Sequence, residues 1–345
     1  MTAVPAMVNA HSHAFQRDLR GRAERSGDFW TWREAMFELA GALDPDSMHD
    51  VALRAYREMR AAGYGAVGEF HYVHHPDGMA QAVAAAAEEA GLPLVLLPAA
   101  YHRNGWDRGD RPLEGGQRRF GDPTPDAFLE RVEALRASGV PVGVAAHSVR
   151  AVAAAWLERI AEYADAHGLV RHVHAHEQPR ELEECRAEHG CTPTELLDRT
   201  GFLGPRTTVV HAIHVTPADV ARLARTGTIV ATCPTTEGNL GDGFFPAGAY
   251  RDAGVRIAVG SDSNVRIDPF EEVRELETGA RRERLRRTDA GGVWAAAARA
   301  GADSLGLPDA GTIKVDREHP DLAGVADADL PAALATCASA GVVAR

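Results

Sequence analysis

A chain of 345 residues, 45% hydrophobic and 25% charged, has the balance of a globular protein rather than a disordered one, and it can bury a large core without staples. Its formal net charge of −12 repels a phosphate backbone, which argues against a nucleic-acid partner, and no apolar run is long enough to span a membrane. The four cysteines, Cys185, Cys191, Cys233 and Cys337, show no CxxC or zinc-finger spacing, and the opening MTAVPAMVNAHSH has neither a basic nor a long apolar run, so a cytoplasmic protein is expected.

Along the chain, short β-branched or apolar runs alternate with longer helical patterns. Strands are expected at 6–9, 66–70, 94–99, 142–146, 170–175, 207–211, 228–232 and 256–260. Helices are expected near 46–62, 78–90, 125–137, 151–167, 193–199, 216–226, 246–253, 269–286 and 289–301. Such alternation argues for a parallel sheet, and eight strands in about 250 residues is the size of a closed (β/α)8 barrel. A doubly wound open sheet would carry a Gly-rich turn after its first strand. Here that strand runs into His-Ser-His. Residues 103–122, rich in Gly, Arg and Asp, read as a long loop of the kind that forms lids or binding sites. The barrel is assigned to 1–303, and 304–345 to a tail whose periodicity is weak.

Polar residues at the strand ends carry the chemistry. His11 and His13 close the first strand, and residues i and i+2 on a strand point the same way. Two imidazoles on one face can share an ion, although the pair alone reads equally well as surface histidines. His172, His174 and His176 alternate along the fifth strand and share a face, followed by Glu177. Three histidines in an apolar run are costly to bury without a partner, and His174 is favoured as a ligand. His211 ends the sixth strand. Asp262, in Gly-Ser-Asp-Ser-Asn, ends the eighth and completes a set of N and O donors suited to zinc. Each residue alone has a bland reading, as loop histidine or turn aspartate. Together they all fall at C-terminal strand ends, where barrel enzymes place their catalytic groups. Lys314 is the single lysine. No lysine on a middle strand can therefore bridge two metals, so one cation, Zn2+ or another divalent metal, is expected.

Seven motifs complete the pattern: NAHSHAFQR (9–17), FWTWRE (29–34), GEFHYVHH (68–75), AHSVRAV (146–152), HVHAHEQ (172–178), CPTTEGNLGDG (233–243) and GSDSNVRIDPFEE (260–272). With them the chain resembles the amidohydrolase superfamily and, within it, the formimidoylglutamate deiminases, over most of its length from residue 9 to about 290. That resemblance implies His11, His13, His174 and Asp262 as zinc ligands. It implies Glu177 and His211 as catalytic residues with Asp262, and Gln16, Arg33, Tyr72, His147 and Arg150 as substrate contacts. The implied reaction is hydrolysis of N-formimidoyl-L-glutamate to N-formyl-L-glutamate and ammonia, a step of histidine breakdown.

The implied partner is thus a small acidic substrate, with a homodimer left open. Arg33 and Arg150, following strand ends at the mouth, would each grip one carboxylate. The family's small β-sandwich is expected to be reduced or absent, because His11 comes so early. Three alternatives stand beside this reading. They are a purine or pterin deaminase, a hydrolase of acyl amino acids, and a non-catalytic metal-binding protein. The last has no need of Glu177 and His211.

Overall fold

The structure is a computed structural model that describes residues 1–22, 27–105 and 111–344. Residues 106–110, inside the expected 103–122 loop, lie outside the described residues.

Ten strands are present among the described residues. β1 (Thr2–Pro5) and β10 (Thr312–Val315) pair antiparallel as a separate two-stranded sheet, Thr2 opposite Val315. The others are β2 (Met7–Ser12), β3 (Tyr64–His71), β4 (Leu94–Ala100), β5 (Val144–Ser148), β6 (Arg171–Ala175), β7 (Thr207–His211), β8 (Ile229–Thr232) and β9 (Ile257–Val259). These eight lie in sequence order in one parallel sheet. A parallel bridge between Ser12 and Asp262 joins the first strand to the end of the last and closes the barrel. All eight expected strands are found. Outside the barrel, the described residues form one further sheet, the β1–β10 pair.

The strands are buried on both faces: β2, β6 and β7 have no exposed residue, and their polar side chains are buried with the apolar ones. Five helices share one start signal. A Thr or Asp cap precedes a proline at the first helical position, as in Asp44-Pro45, Thr124-Pro125, Thr192-Pro193, Thr216-Pro217 and Asp268-Pro269. Four helices fall outside the expected ranges. Helix Phe29–Ala42 starts at the cap Asp28, which accepts from the Thr31 amide at 2.9 Å. Helix Pro179–His189 is polar almost all round and buries Glu181 and Cys185. Helices Pro234–Leu240 and Leu330–Thr336 are seven residues each. No helix among the described residues is long and apolar enough to cross a membrane.

Barrel closure sets the site. Ser261 N and Asp262 N both donate to His11 O, at 3.1 and 3.0 Å, and His13 N donates to Asp262 O at 2.8 Å. The approach is close because residue 260 is glycine: a Cβ there would lie 2.7 Å from His11 O. Asn9 and Asn264 lock the seam. Asn9 donates to Ser261 Oγ at 2.6 Å, and Asn264 donates to His13 O at 3.0 Å.

Candidate active site

β2 and β6 deliver three imidazoles to the centre of the barrel mouth. His11, His13, His174 and Asp262 each offer a donor atom within 4.8 Å of the others, and all four are buried. His11 Nε2 lies 3.0 Å from His174 Nε2. Asp262 Oδ1 lies 3.4 Å from His11 Nε2 and 3.3 Å from His13 Nε2. A tetrahedral cation with ligands at ~2.1 Å sets neighbouring donors about 3.4 Å apart, so these edges fit a zinc-sized ion.

The protonation of the rings agrees. His13 Nδ1 faces Phe70 O at 2.7 Å and His174 Nδ1 faces His147 O at 2.8 Å. Each Nδ1 therefore carries the proton and donates, leaving Nε2 as a free lone pair turned inward. Burial, with the neighbouring histidines, lowers His11 and His174 well below the ordinary range. Burial lowers His13 to about 3. Burial also lifts Asp262 to about 7. Three neutral imidazoles and a carboxyl without solvent form a donor set that a divalent cation would satisfy.

His211 stands behind this group. It has φ of 69° and Asp262 has φ of 44°, both left-handed, and such conformations turn the side chains at the ends of β7 and β9. His211 Nε2 lies 3.5 Å from Glu177 Oε1 and 3.9 Å from Asp262 Oδ2. Its Nδ1 donates to Glu237 Oε1 at 3.2 Å. Burial would depress this ring, but Glu177, the Glu237 hydrogen bond and Asp262 outweigh it and hold His211 at about 10. Glu177 follows β6, and burial raises it above the usual carboxylate range. Glu237 also accepts from Thr232 Oγ1 at 2.7 Å and Cys233 N at 2.8 Å, so its position is fixed from three sides. His211, Cys233 and Glu237 form a second set of close donors. There the His211 and Glu237 atoms are already joined to each other.

The group opens into a narrow cleft of about 40 Å³. Gln16, Arg33, Tyr72, His147 and Arg150 all line it, together with Glu177 and His211. Gln16 Nε2 donates to the Tyr72 hydroxyl at 2.8 Å. The His147 ring sits 5.4 Å from Tyr72 and 5.0 Å from His174. Arg150 follows β5 as expected. Arg33, expected beyond a strand end, instead reaches in from the helix Phe29–Ala42, stacked 4.5 Å over Phe37. The two guanidiniums converge. Arg33 Nη2 donates to the Tyr101 hydroxyl at 3.2 Å, and Arg150 acts on the same phenol. Arg150 Nη1 is buried with no hydrogen-bond partner. Among the described residues neither arginine comes within 4.0 Å of a carboxylate oxygen, although Arg150 acts at longer range on Glu177 and Glu181, and Arg33 on Glu177.

The shared face expected of His172, His174 and His176 is broken. His172 Nε2 bonds Ser304 O at 2.9 Å. His176 lies past the strand at φ 60° and turns to Thr194 Oγ1 at 2.7 Å. Sequence reasoning missed Glu237 and Tyr101. Tyr101 directly follows β4, so the strand-end rule, applied to a phenol as well as to metal-binding types, would have found it. Glu237 lies inside CPTTEGNLGDG, which reads as a loop.

Residues 2–343 match the amidohydrolase family. Formimidoylglutamate deiminase from Pseudomonas aeruginosa is 40% identical over 340 residues, covering 91% of this chain and 74% of that protein. An amidohydrolase structure from Brucella melitensis superposes with a TM-score of 0.89 at 33% identity, over 99% of this chain and 84% of that one. An adenosine deaminase from Xanthomonas campestris with bound zinc gives 0.84 at 25% identity, over 99% and 77%.

Proposed function

Because the chain belongs to the amidohydrolase family, metal-dependent hydrolases acting on C–N bonds, we propose that it converts N-formimidoyl-L-glutamate and water to N-formyl-L-glutamate and ammonia. One observation carries the choice of substrate. A three-histidine, one-carboxylate group and two arginines without carboxylate partners face the same cleft in a chain of net charge −12. Burying cationic groups unpaired is costly, and an anionic ligand offsets the cost.

In this reading His11, His13, His174 and Asp262 hold one divalent cation, zinc by its N3O donor set. The cation supplies Lewis acidity that lets water ionise near neutral pH. The balance of the reaction requires both protons of the attacking water to reach the departing nitrogen, as the terminal C–N bond breaks and a C=O forms. Asp262 accepts the first proton and gives it up to the departing nitrogen, and Glu177 carries the second there. His211 Nε2 donates to the oxygen that gains charge, and Glu237 keeps that ring turned by holding Nδ1. Arg33 and Arg150 bind the glutamate end, while Gln16, Tyr72 and His147 line the formimidoyl end.

A purine-type deaminase is the second reading. It is favoured by the aromatic wall of Trp32, Phe37, Tyr72 and Tyr101 and by the likeness to a zinc-bound adenosine deaminase. Ammonia release from N-formimidoyl-L-glutamate, adenosine and guanine by the zinc-loaded protein decides between them. Turnover of a purine with none of the amidine would replace the first reading by the second.

A further inference from the structure

Tyr101 is 1% exposed and lines the cleft, yet its hydrogen bonding is incomplete. Three side chains direct donors at its oxygen: Arg33 Nη2 and Gln117 Nε2, each at 3.2 Å, and Arg150. A phenol oxygen has two lone pairs and one proton. Both lone pairs are taken, so the proton is what Tyr101 has left to offer, and the acceptors facing it must come from the cleft. Its ring is fixed, 5.4 Å from Phe120 and 4.6 Å from His147, so the hydroxyl cannot swing away in search of one. Around it the charge is positive: Arg33 on one side and Arg150, with its unpartnered Nη1, on the other. A neutral donor held between two cations is matched to a ligand oxygen that carries negative charge.

We propose that the Tyr101 hydroxyl donates a hydrogen bond to a carboxylate of the substrate. With Arg33 and Arg150 it forms one convergent carboxylate subsite, in place of two separate arginine clamps. The inference rests on the acidic-substrate reading above and makes Tyr101 a specificity-determining residue. Burial would raise this phenol, while Arg33 and Arg150 oppose that and lower it, so the hydroxyl is a stronger donor than an ordinary tyrosine.

The test uses the zinc-loaded full chain and glutarate, a dicarboxylate with no bond to hydrolyse. Its dissociation constant is measured by calorimetry for wild type, Tyr101→Phe, Arg33→Met and the double variant. Hydrogen bonds to charged groups predict a 10- to 100-fold weakening, roughly, in Tyr101→Phe. Phenylalanine keeps the ring contacts, so zinc content and melting temperature should match wild type. If the hydroxyl touches the ligand itself, Tyr101→Phe still weakens glutarate severalfold in the Arg33→Met background. Equal affinities in wild type and Tyr101→Phe would overturn the proposal. So would a loss that vanishes in that background, since Tyr101 would then act by placing Arg33, or a wild type that does not bind glutarate. Ammonia release from N-formimidoyl-L-glutamate is read in parallel on the wild type. Its absence counts against the proposed reaction, while the glutarate affinities still judge Tyr101.

Discussion

Replacing Arg150 by methionine should move activity and stability in opposite directions. Arg150 is 8% exposed, its Nη1 has no hydrogen-bond partner, and it has no carboxylate partner among the described residues. Without a bound anion this guanidinium is a burden: a buried donor left unsatisfied costs about 1–3 kcal/mol. Methionine fills a similar path without that cost. The single-residue stability gain should therefore be of order 1 kcal/mol, or ~2 °C in melting temperature. With substrate bound, the same guanidinium makes a charge-assisted bond worth about 1.5–3 kcal/mol. Its loss should lower kcat/KM by ~10- to 150-fold, at about 1.4 kcal/mol per factor of ten. Steady-state ammonia release and calorimetric melting of the same zinc-loaded preparation provide both numbers. Unchanged kcat/KM would refute the anion-binding role. A clear fall in melting temperature would show that Arg150 is satisfied in the folded protein without a ligand.

Three further outcomes are expected. Glu177→Gln should keep the cation, because Glu177 is outside the four-residue group, yet lose ~10²–10⁴-fold in kcat; near-normal turnover would remove it as proton carrier. Glu237→Gln, by weakening the hold on His211 Nδ1, should lower kcat with little change in KM; a change in KM alone would point to a role in substrate binding. Cation affinity of the apoprotein should be flat above pH 7 and fall by up to ~10-fold per unit below it. The cation must displace the proton that Asp262 binds at about 7, whereas His13 protonates only near 3. Affinity that stays flat down to pH 5, read by competition with a chelator, would contradict this.

What the sequence revealed, and what it hid, follows from how local each signal is. The eight barrel strands were legible because each is a short apolar run between turn residues. Their polar ends stood out against that background: His11, His174, His211 and Asp262 are charged or titratable groups where packing asks for none. The convergence of those ends follows from barrel geometry and needed no knowledge of loops. Pairing of Thr2–Pro5 with Thr312–Val315 spans the whole chain and leaves no local trace. Helix Pro179–His189 has no apolar stripe to read, since it buries a glutamate and a cysteine. Glu237 was hidden by Gly238 and Asn239, which mimic a loop, and by the fact that its partner His211 lies 26 residues away. His176 defeated the alternation rule because its backbone turns left-handed one residue after the strand ends. Arg33 was found through its motif, but its route into the cleft, from a helix, was not.

On the proposed function, the metal-type group and its arginines serve a dicarboxylate amidine. The most direct test loads the apoprotein with one equivalent of zinc and follows ammonia from N-formimidoyl-L-glutamate beside adenosine, guanine and the substrate's diamide. The account predicts steady release from N-formimidoyl-L-glutamate, abolished by chelation and restored by zinc, with the diamide reacting at least ~10-fold less efficiently. Equal turnover of the diamide, or release from a purine alone, would contradict it.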